Sequence, residues 1–405
     1  MTLDRLTLAA IRRRRIEVMC ESADVLEIRA AEVLTALTEV ETRATAEIEL
    51  DKTLRALRKY DSELPPLTDR VPLGSVFVSL PYNTPLYSFV LYGAGPAIAG
   101  NSVSIRASSA TGEALRAAIE PISDLTASAG ITLFEGSGRE FIQKGLVEGA
   151  ANAFVFTGSW ESVQQLIPLR RDHQRLIYSG SGMNPFIVLE DADLDAALES
   201  AVYTRLFNSG QDCLAPEVFF IHDDVKDEFI DRLRVRLEAI RLGPLSDPLT
   251  DVGQLVNEDV AQHAKDLLRE NYVDRRFRYA VPPPTDFAHA NLICPSVIET
   301  SIEDPIVLEE KFAPIFVVVP FTDLDVVHAW VRSSPYALCL TQFGGDTPDE
   351  WPVPQVSFNA CAMKEEEADA HVPFGGTGRS GFVIGPHGTH EGPVLFSVET
   401  TTPES

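Results

Sequence analysis

Residues 153–178, AFVFTGSWESVQQLIPLRRDHQRLIY, decide the fold because they place a strand, a helix and a second strand in succession. The short apolar runs Ala153–Phe156 and Arg175–Tyr178 predict two buried strands, and the amphipathic stretch Ser162–Leu169 between them predicts a helix. Two consecutive strands joined by a helix are expected to be parallel, with a right-handed crossover.

The same alternation extends in both directions and predicts an α/β protein with a doubly wound parallel sheet, followed by a second α/β region from about Asn184. Met1–Leu64 contains no Gly or Pro and predicts one or two long helices, with the Arg12–Arg15 run on a solvated face. The other predicted strands are Gly74–Leu80, Ser102–Ile105, Ile131–Phe134, Phe186–Leu189, Val218–Ile221, Ile293–Ile298 and Ile315–Val319, and the other predicted helices are Thr111–Ile119 and Ala192–Phe207.

Composition excludes several classes of partner. The 405 residues include 60 acidic and 34 basic side chains, a formal net charge of −26, which disfavours binding to nucleic acid or to an anionic membrane. The longest uncharged stretch, Val71–Ile105, is interrupted by prolines, so a membrane-spanning helix is not expected.

No apolar signal segment follows Arg12–Arg15, which favours a cytoplasmic protein. Five scattered cysteines fit neither a disulfide framework nor a metal site.

The carboxyl ends of the predicted strands carry the most distinctive residues, and ligands of doubly wound sheets bind at such ends. No GxGxxG fingerprint and no P-loop is present, so a dinucleotide would be held by another arrangement. The residues at these ends are Asn83 after the first strand, Arg106 and Ser108 after the second, Gly136–Gly138 after the third and Thr157–Ser159 after the fourth.

Five segments, in this order and spacing, resemble the aldehyde dehydrogenase superfamily from about Pro72 to Val398: Pro81-Tyr82-Asn83-Thr84-Pro85, Phe156-Thr157-Gly158-Ser159, Gly210-Gln211-Asp212-Cys213, Glu309-Glu310-Lys311-Phe312-Ala313-Pro314 and Pro373-Phe374-Gly375-Gly376. The resemblance implies an α/β, aldehyde dehydrogenase-like fold with four parts. These are an N-terminal helical segment (1–64), a Rossmann-type dinucleotide-binding domain (65–180), a catalytic thiol domain (181–380), and a C-terminal return with an oligomerisation strand (381–405). Pro72–Phe77 and Val394–Val398 would be what remains of the oligomerisation strands, and a homodimer is expected.

The resemblance also implies the catalytic pair. Cys213 would be the nucleophile that attacks a carbonyl and stores the acyl group as a thioester, whereas the other four cysteines are expected to be packing residues. The Asn83 carboxamide, with the backbone N–H of Cys213, would form the oxyanion hole.

A nicotinamide cofactor would be held, by the same resemblance, at the strand ends. Ser159 would meet the pyrophosphate or serve only as an N-cap, Gly138 would leave room near the adenine, and Glu310 and Phe312 would hold the nicotinamide ribose and ring. Arg106 beside a neutral Ser109 favours NADP over NAD, because many NAD-preferring members have Glu at the second position. The complete set is Leu80, Pro81, Tyr82, Arg106, Ser108, Ser109, Gly138, Thr157, Gly158, Ser159, Glu310 and Phe312.

The departure that bears on the reaction is Ser179, which stands where oxidising members carry a general-base Glu. Serine cannot activate water, so the sequence favours interconversion of an aldehyde and an acyl-thioester, with CoA or a carrier protein as the thiol. One alternative is oxidation to the carboxylate with Glu310 or Glu391 as substitute base. Another is a catalytically degenerate member that acts as a binding or scaffold protein.

Overall fold

Two seven-stranded sheets form the body of the fold in a computed structural model, which describes residues 4–273, 276–369, 371, 375–391 and 396–399. Within that part of the chain, no helix is both long and apolar enough to cross a membrane. The described strands, in chain order, are β1 (Arg70–Pro72), β2 (Ser75–Ser79), β3 (Ser102–Arg106), β4 (Ile131–Leu133), β5 (Ala153–Thr157), β6 (Arg175–Ser179), β7 (Asn184–Val188), β8 (Pro216–His222), β9 (Phe277–Ala280), β10 (Ser296–Glu299), β11 (Ile315–Phe321), β12 (Tyr336–Ala337), β13 (Cys339–Phe343), β14 (Gln355–Phe358), β15 (Thr377–Gly378), β16 (Gly381–Gly385), β17 (Gly388–His390) and β18 (Ser397–Glu399).

The helices alternate with these strands over most of the chain. Short 3-10 turns at Tyr60–Glu63, Glu120–Ile122, Ile167–Leu169, Phe207–Gly210 and Pro305–Leu308, and π-helical turns at Val90–Ala94 and Gln143–Val147, extend or connect them. The described α-helices are α1 (Arg5–Ile28), α2 (Ala30–Leu37), α3 (Arg43–Arg58), α4 (Leu64–Leu67), α5 (Pro85–Phe89), α6 (Gly95–Ile98), α7 (Gly112–Ile119), α8 (Ser123–Ser128), α9 (Gly138–Ile142), α10 (Trp160–Leu166), α11 (Leu194–Leu206), α12 (Asp223–Glu238), α13 (Glu258–Val273), α14 (Leu324–Ser333) and α15 (Ala362–Ala368).

The first sheet has the order β17-β16-β6-β5-β2-β3-β4. Its five strands from β6 to β4 are parallel, and β16 and β17 are antiparallel additions at one edge. The alternation predicted from residues 153–178 is confirmed, since β5, α10 and β6 follow one another. The chain runs outward from β2 to β4 and then returns to β5 on the other side of β2. The switch point therefore lies between the carboxyl ends of β2 and β5.

The second sheet has the order β14-β13-β7-β8-β11-β10-β9, and only β9 runs antiparallel to its neighbour. The chain changes sheets between β6 and β7. That change lies at the 180/181 limit expected for the first two large domains, whose full division remains a prediction.

Both faces of the first sheet are covered, which explains its continuous apolar strands. Alternate residues of β2 point to opposite faces: Val76 and Val78 join one buried cluster with the N-terminal helices, and Phe77 joins another with Phe141 and Phe154. This packing fixes where the carboxyl ends of the strands lie.

The prediction of a solvated arginine run is wrong for two of its members. Arg12 is only 4% exposed, and its guanidinium donates to the carbonyl oxygens of Leu67 (2.6 Å), Arg70 (2.8 Å) and Ala99 (3.1 Å). Arg15 donates to the carbonyl of Asn101 at 2.7 Å. These arginines satisfy carbonyl groups of α4, of β1 and of the segment after α6, and thereby attach α1 to the region that precedes β2 and β3.

The expectation that Pro72–Phe77 is an oligomerisation remnant is also wrong for Ser75–Phe77, which belong to β2 at the centre of the first sheet. Instead β1 and β18 form a separate antiparallel pair, with Arg70 opposite Glu399 and Pro72 opposite Ser397. Residues 394 and 395 of the predicted terminal strand, like Pro373 and Phe374, lie outside the described residues.

Candidate active site

A cavity of about 450 Å³ opens at the switch point of the first sheet. Its walls come from both halves of the molecule, because loops after β2, β5 and β6 face loops that follow α11 and precede β11. The lining residues are Pro81, Tyr82, Asn83, Thr157, Gly158, Ser159, Ser179, Gly180, Ser181, Cys213, Asn257, Asp259, Val260, His263, Glu310, Lys311 and Phe312.

The loop that presents Cys213 begins with three consecutive left-handed residues, Asn208 (φ 47°), Ser209 (φ 56°) and Gly210 (φ 85°). A side chain at Gly210 would place its Cβ 2.5 Å from the carbonyl carbon of Ala313, so only glycine fits there. Left-handed backbone at the two non-glycine positions costs roughly 1–3 kcal/mol each and persists only where the surroundings fix it.

Hydrogen bonds from three directions hold this loop. Thr45 Oγ1 on α3 accepts from the Asn208 N–H at 3.2 Å, and Ser209 Oγ accepts from the Gly253 N–H at 3.0 Å. The Asn184 carboxamide donates to the Cys213 carbonyl at 2.6 Å and so joins the loop to β7. The position of the thiol is therefore determined by tertiary contacts.

The Cys213 thiol is buried and lies near negatively charged groups. Burial raises the pKa of the Cys213 thiol well above its usual value, and the nearby carboxylates of Asp212 and Glu366 raise it further. Burial also raises the pKa of Asp212, to about 6. The positive charge of Lys52 on α3, which pairs with Glu366 at 2.6 Å, opposes both shifts. The thiol is thus mostly protonated at neutral pH before a substrate binds.

Asn83 lines the same cavity as Cys213, in the turn between β2 and α5. Its carbonyl oxygen accepts from Ser88 Oγ at 3.3 Å, and Thr84 after it has a left-handed backbone (φ 40°). Glu49 on α3 anchors the start of α5 by accepting from the Tyr87 N–H at 2.9 Å. The two residues predicted as the catalytic pair are thus brought to one cavity.

Glu217 fixes the loop that carries Glu310 and Phe312. Its buried carboxylate accepts from the N–H groups of Lys311 (2.9 Å) and Phe312 (3.3 Å), and from Arg205 Nη1 at 2.8 Å. Phe312 has a left-handed backbone (φ 46°) and its ring meets that of Tyr82 edge to face, with centroids 5.7 Å apart. This buried ion network fixes the loop that forms the wall of the cavity containing Glu310 and Phe312.

The Glu310 carboxyl turns toward the loop after β6, where Ser181 Oγ donates to Oε2 at 2.7 Å. Burial raises its pKa to about 7, with a further contribution from the negative charge of Glu217. A carboxyl that titrates near neutrality therefore lies in the cavity with Cys213, although sequence reasoning assigned it first to cofactor binding. Glu391, the other suggested base, accepts from the Gly378 N–H at 3.2 Å and does not line the cavity.

Five predicted cofactor residues do not line the cavity and instead lie at or after the carboxyl ends of β2, β3 and β4. Arg106 Nε is buried with no hydrogen-bond partner in the described part of the chain, and burial lowers the pKa of its guanidinium. A Cβ on Gly138 would lie 3.1 Å from the Arg106 guanidinium carbon, so the glycine leaves that side chain its room. The other three are Leu80, whose N–H donates to the Arg106 carbonyl, Ser108 and the exposed Ser109.

Four lining residues were missed by sequence reasoning: Asn257, Asp259, Val260 and His263. They belong to the start of α13, where the Asn257 side chain accepts from the N–H groups of Asp259 and Val260. His263 Nε2 lies 3.6 Å from a carboxylate oxygen of Glu309. The Asn-Glu-Asp sequence signals a helix start, but nothing in it indicates that the helix faces a cavity.

Comparison with known proteins places this geometry in a family. The model of the aldehyde dehydrogenase family matches residues 9–393. The chain belongs to that family. Among its relatives, the succinate-semialdehyde dehydrogenase [NADP(+)] 1 of Mycobacterium tuberculosis is 28% identical over 341 residues, which cover 79% of this chain and 71% of that protein. The succinate-semialdehyde dehydrogenase [NADP(+)] of Mycobacterium leprae is 29% identical over 342 residues, with the same coverage.

Solved aldehyde dehydrogenase family structures have the same fold as this chain. NADP-dependent glyceraldehyde-3-phosphate dehydrogenase from Bacillus halodurans C-125, complexed with NADP, superposes with a TM-score of 0.80 at 21% identity and covers 98% of this chain and 89% of its own. PnpE from Pseudomonas sp. WBC-3 gives a TM-score of 0.82 at 21% identity, with coverage of 98% and 88%. The predicted aldehyde dehydrogenase-like fold is confirmed.

Proposed function

We propose that this family member is an NADP(H)-linked enzyme that interconverts an aldehyde and an acyl-thioester through Cys213. The observation that carries the proposal is Ser179, which lines the cavity with Cys213 at the position where oxidising members have a general-base Glu. A missing base slows hydrolysis of a thioester by about 10²- to 10⁴-fold, which gives a thiol acceptor time to react.

The proposed chemistry uses Cys213 and Asn83. The Cys213 thiol releases its proton to solvent as its sulfur attacks the aldehyde carbon, and the carbonyl oxygen gains negative charge that the Asn83 carboxamide and the Cys213 N–H stabilise. The residues at the strand ends would hold NADP(H), which would supply the hydride chemistry: the oxidised form would accept hydride from this carbon and the reduced form would donate it. The acyl group on Cys213 then forms a bond to the sulfur of an acceptor thiol, the bond to Cys213 breaks, and the thiol proton returns to Cys213.

The residues at the strand ends fit a phosphorylated dinucleotide. Arg106 Nε and Thr157 Oγ1 are buried without hydrogen-bond partners in the described chain, so each has capacity for a ligand atom. We assign the 2′-phosphate to Arg106, with a neutral Ser109 beside it, and the nicotinamide ribose to Glu310. The NADP specificity named for the two mycobacterial relatives supports this choice.

Oxidation of the aldehyde to a carboxylate is the second candidate. Glu310 favours it, because a carboxyl with a pKa of about 7 lies in the cavity and could accept a proton from water. The Ser181 hydroxyl and the Gly182 N–H both donate to that carboxyl, so Glu310 would have to break these hydrogen bonds before it could turn toward a water molecule.

Stopped-flow measurement of NADPH formation separates the candidates. Succinate semialdehyde and short aliphatic aldehydes serve as probes, CoA serves as the thiol, and Cys213→Ala is the control without a nucleophile. A burst of one NADPH per subunit that stalls until CoA is added supports thioester formation. Steady turnover to free acid without CoA supports the second candidate and overturns the first. Absence of a burst in the wild-type protein with every aldehyde would overturn both and leave a binding protein.

A further inference from the structure

The first turns of α13 form one wall of the cavity. Asp259, Val260 and His263 all line it, and at positions i, i+1 and i+4 they share one face of the helix. The opposite face carries Ala261 and Ala264, which are fully buried in the apolar core on one side of the second sheet. This packing fixes the rotation of α13 about its axis, and with it the direction of His263 toward the cavity.

His263 lies where the cavity meets solvent, because its side chain is 47% exposed whereas the Cys213 thiol is buried. Its Nε2 atom is 3.6 Å from a carboxylate oxygen of Glu309. That negative charge favours the form of the neutral ring with its proton on Nε2, so that Nδ1 is the nitrogen able to accept a proton. A carboxylate that orients an imidazole in this way is the usual arrangement around a histidine base.

Transfer of the acyl group to a thiol needs a base, because the thiolate and not the thiol is the nucleophile. Ser179 cannot serve, and the Glu310 carboxyl already accepts hydrogen bonds from the loop after β6. Lys311 is fully buried, and its ammonium donates to a backbone carbonyl at 2.9 Å. The Asp259 carboxylate is a much weaker base than an imidazole. Among the lining residues that the structure describes, His263 is therefore the group best suited to take the proton of an incoming thiol.

We propose that His263 is a catalytic residue that takes the proton of an alkyl thiol as that thiol accepts the acyl group from Cys213. The inference rests on the proposed function and adds the base of its transfer step. The S–H proton passes to His263 Nδ1, the acceptor sulfur forms a bond to the acyl carbon, and the bond between that carbon and Cys213 breaks. The Cys213 thiolate then takes the proton from the imidazolium, so the histidine returns to its neutral form and nothing is oxidised or reduced.

The test measures how fast a preformed acyl-enzyme transfers its acyl group to two different thiols. CoA is an alkyl thiol that is mostly protonated at neutral pH and needs a base, whereas 5-thio-2-nitrobenzoate is already a thiolate and needs none. The acyl-enzyme is formed from aldehyde and NADP in a single turnover before either thiol is added. Chromatography of acyl-CoA and loss of the nitrobenzoate absorbance then give the two rate constants. The matched control for His263→Gln is His387→Gln, because His387 is exposed in the turn between β16 and β17.

The ratio of the CoA rate constant to the nitrobenzoate rate constant is expected to fall about 100-fold in His263→Gln, a factor typical of a lost general base. It should keep its wild-type value in His387→Gln, and imidazole added to His263→Ala should restore transfer to CoA. An unchanged ratio in His263→Gln would overturn the inference, since a merely structural role would slow both transfers alike. Failure of the proposed function looks different, because the wild-type protein would then transfer its acyl group to neither thiol.

Discussion

Replacing Glu217 with Gln should destabilise the protein by about 3–5 kcal/mol, the cost typical of breaking a buried ion network. The side chain is 1% exposed, and its carboxylate is the acceptor for Arg205 and for the N–H groups of Lys311 and Phe312. Glutamine keeps the shape but offers a single acceptor oxygen, and its NH₂ group faces a donor. Arg205 and Lys311, both fully buried, lose the charge that compensates them.

Urea unfolding, followed by circular dichroism and tryptophan fluorescence, measures this loss as a lower free energy of unfolding. Glu199→Gln is the control, because its pair with Lys364 is solvent-exposed on both sides and its loss should change stability by less than about 0.5 kcal/mol. Equal midpoints for Glu217→Gln and the wild type would refute the reasoning that this network holds the loop before β11.

Three further results are expected. In Asp212→Asn, iodoacetamide should alkylate Cys213 faster at pH 8, because removal of a negative charge lowers the thiol pKa. An alkylation rate with the same pH dependence as in the wild type would contradict the role of Asp212 in raising that pKa. Ser109→Glu should shift the kcat/KM ratio of NADP to NAD toward NAD by roughly tenfold or more, because a carboxylate repels the 2′-phosphate; a ratio equal to the wild type would place the phosphate elsewhere. Arg12→Ala should lower the free energy of unfolding by about 2 kcal/mol or more through unsatisfied buried carbonyls, whereas the exposed Arg13→Ala should have almost no effect.

The first sheet could be predicted because its signals are local. Residues 153–178 contain a complete strand, helix and strand, each with the apolar pattern of its own period. Strands β13 and β14 escaped prediction, since Cys339–Phe343 mixes polar and apolar residues whose burial comes from neighbours far along the chain. Arg12 was misjudged for a similar reason: its burial depends on carbonyl groups that only the folded first sheet presents.

In the candidate site, too, the residues found from sequence are those with a local signal, and the residues missed are those placed by the folded structure. Segments with a distinctive residue order, such as those with Asn83, Cys213 and Glu310, were found from sequence and lie at one cavity. His263 and Asn257 were not, because a helix start carries no signal of what it faces. The pKa of Glu310 also depends on burial and on Glu217, two features that only the assembled structure supplies.

The antiparallel pairing of β16 with β6 has a consequence for biosynthesis. About 200 residues separate the two strands. At a ribosomal rate of about 5–20 residues per second, the edge of β6 that later pairs with β16 stays unpaired in the nascent chain for roughly 10–40 seconds. An open strand of this kind is a template for intermolecular pairing. Yield in a heterologous host is therefore expected to depend on chaperone capacity and culture temperature, and a chain that ends before Gly381 is expected to form inclusion bodies to a greater extent than the full chain.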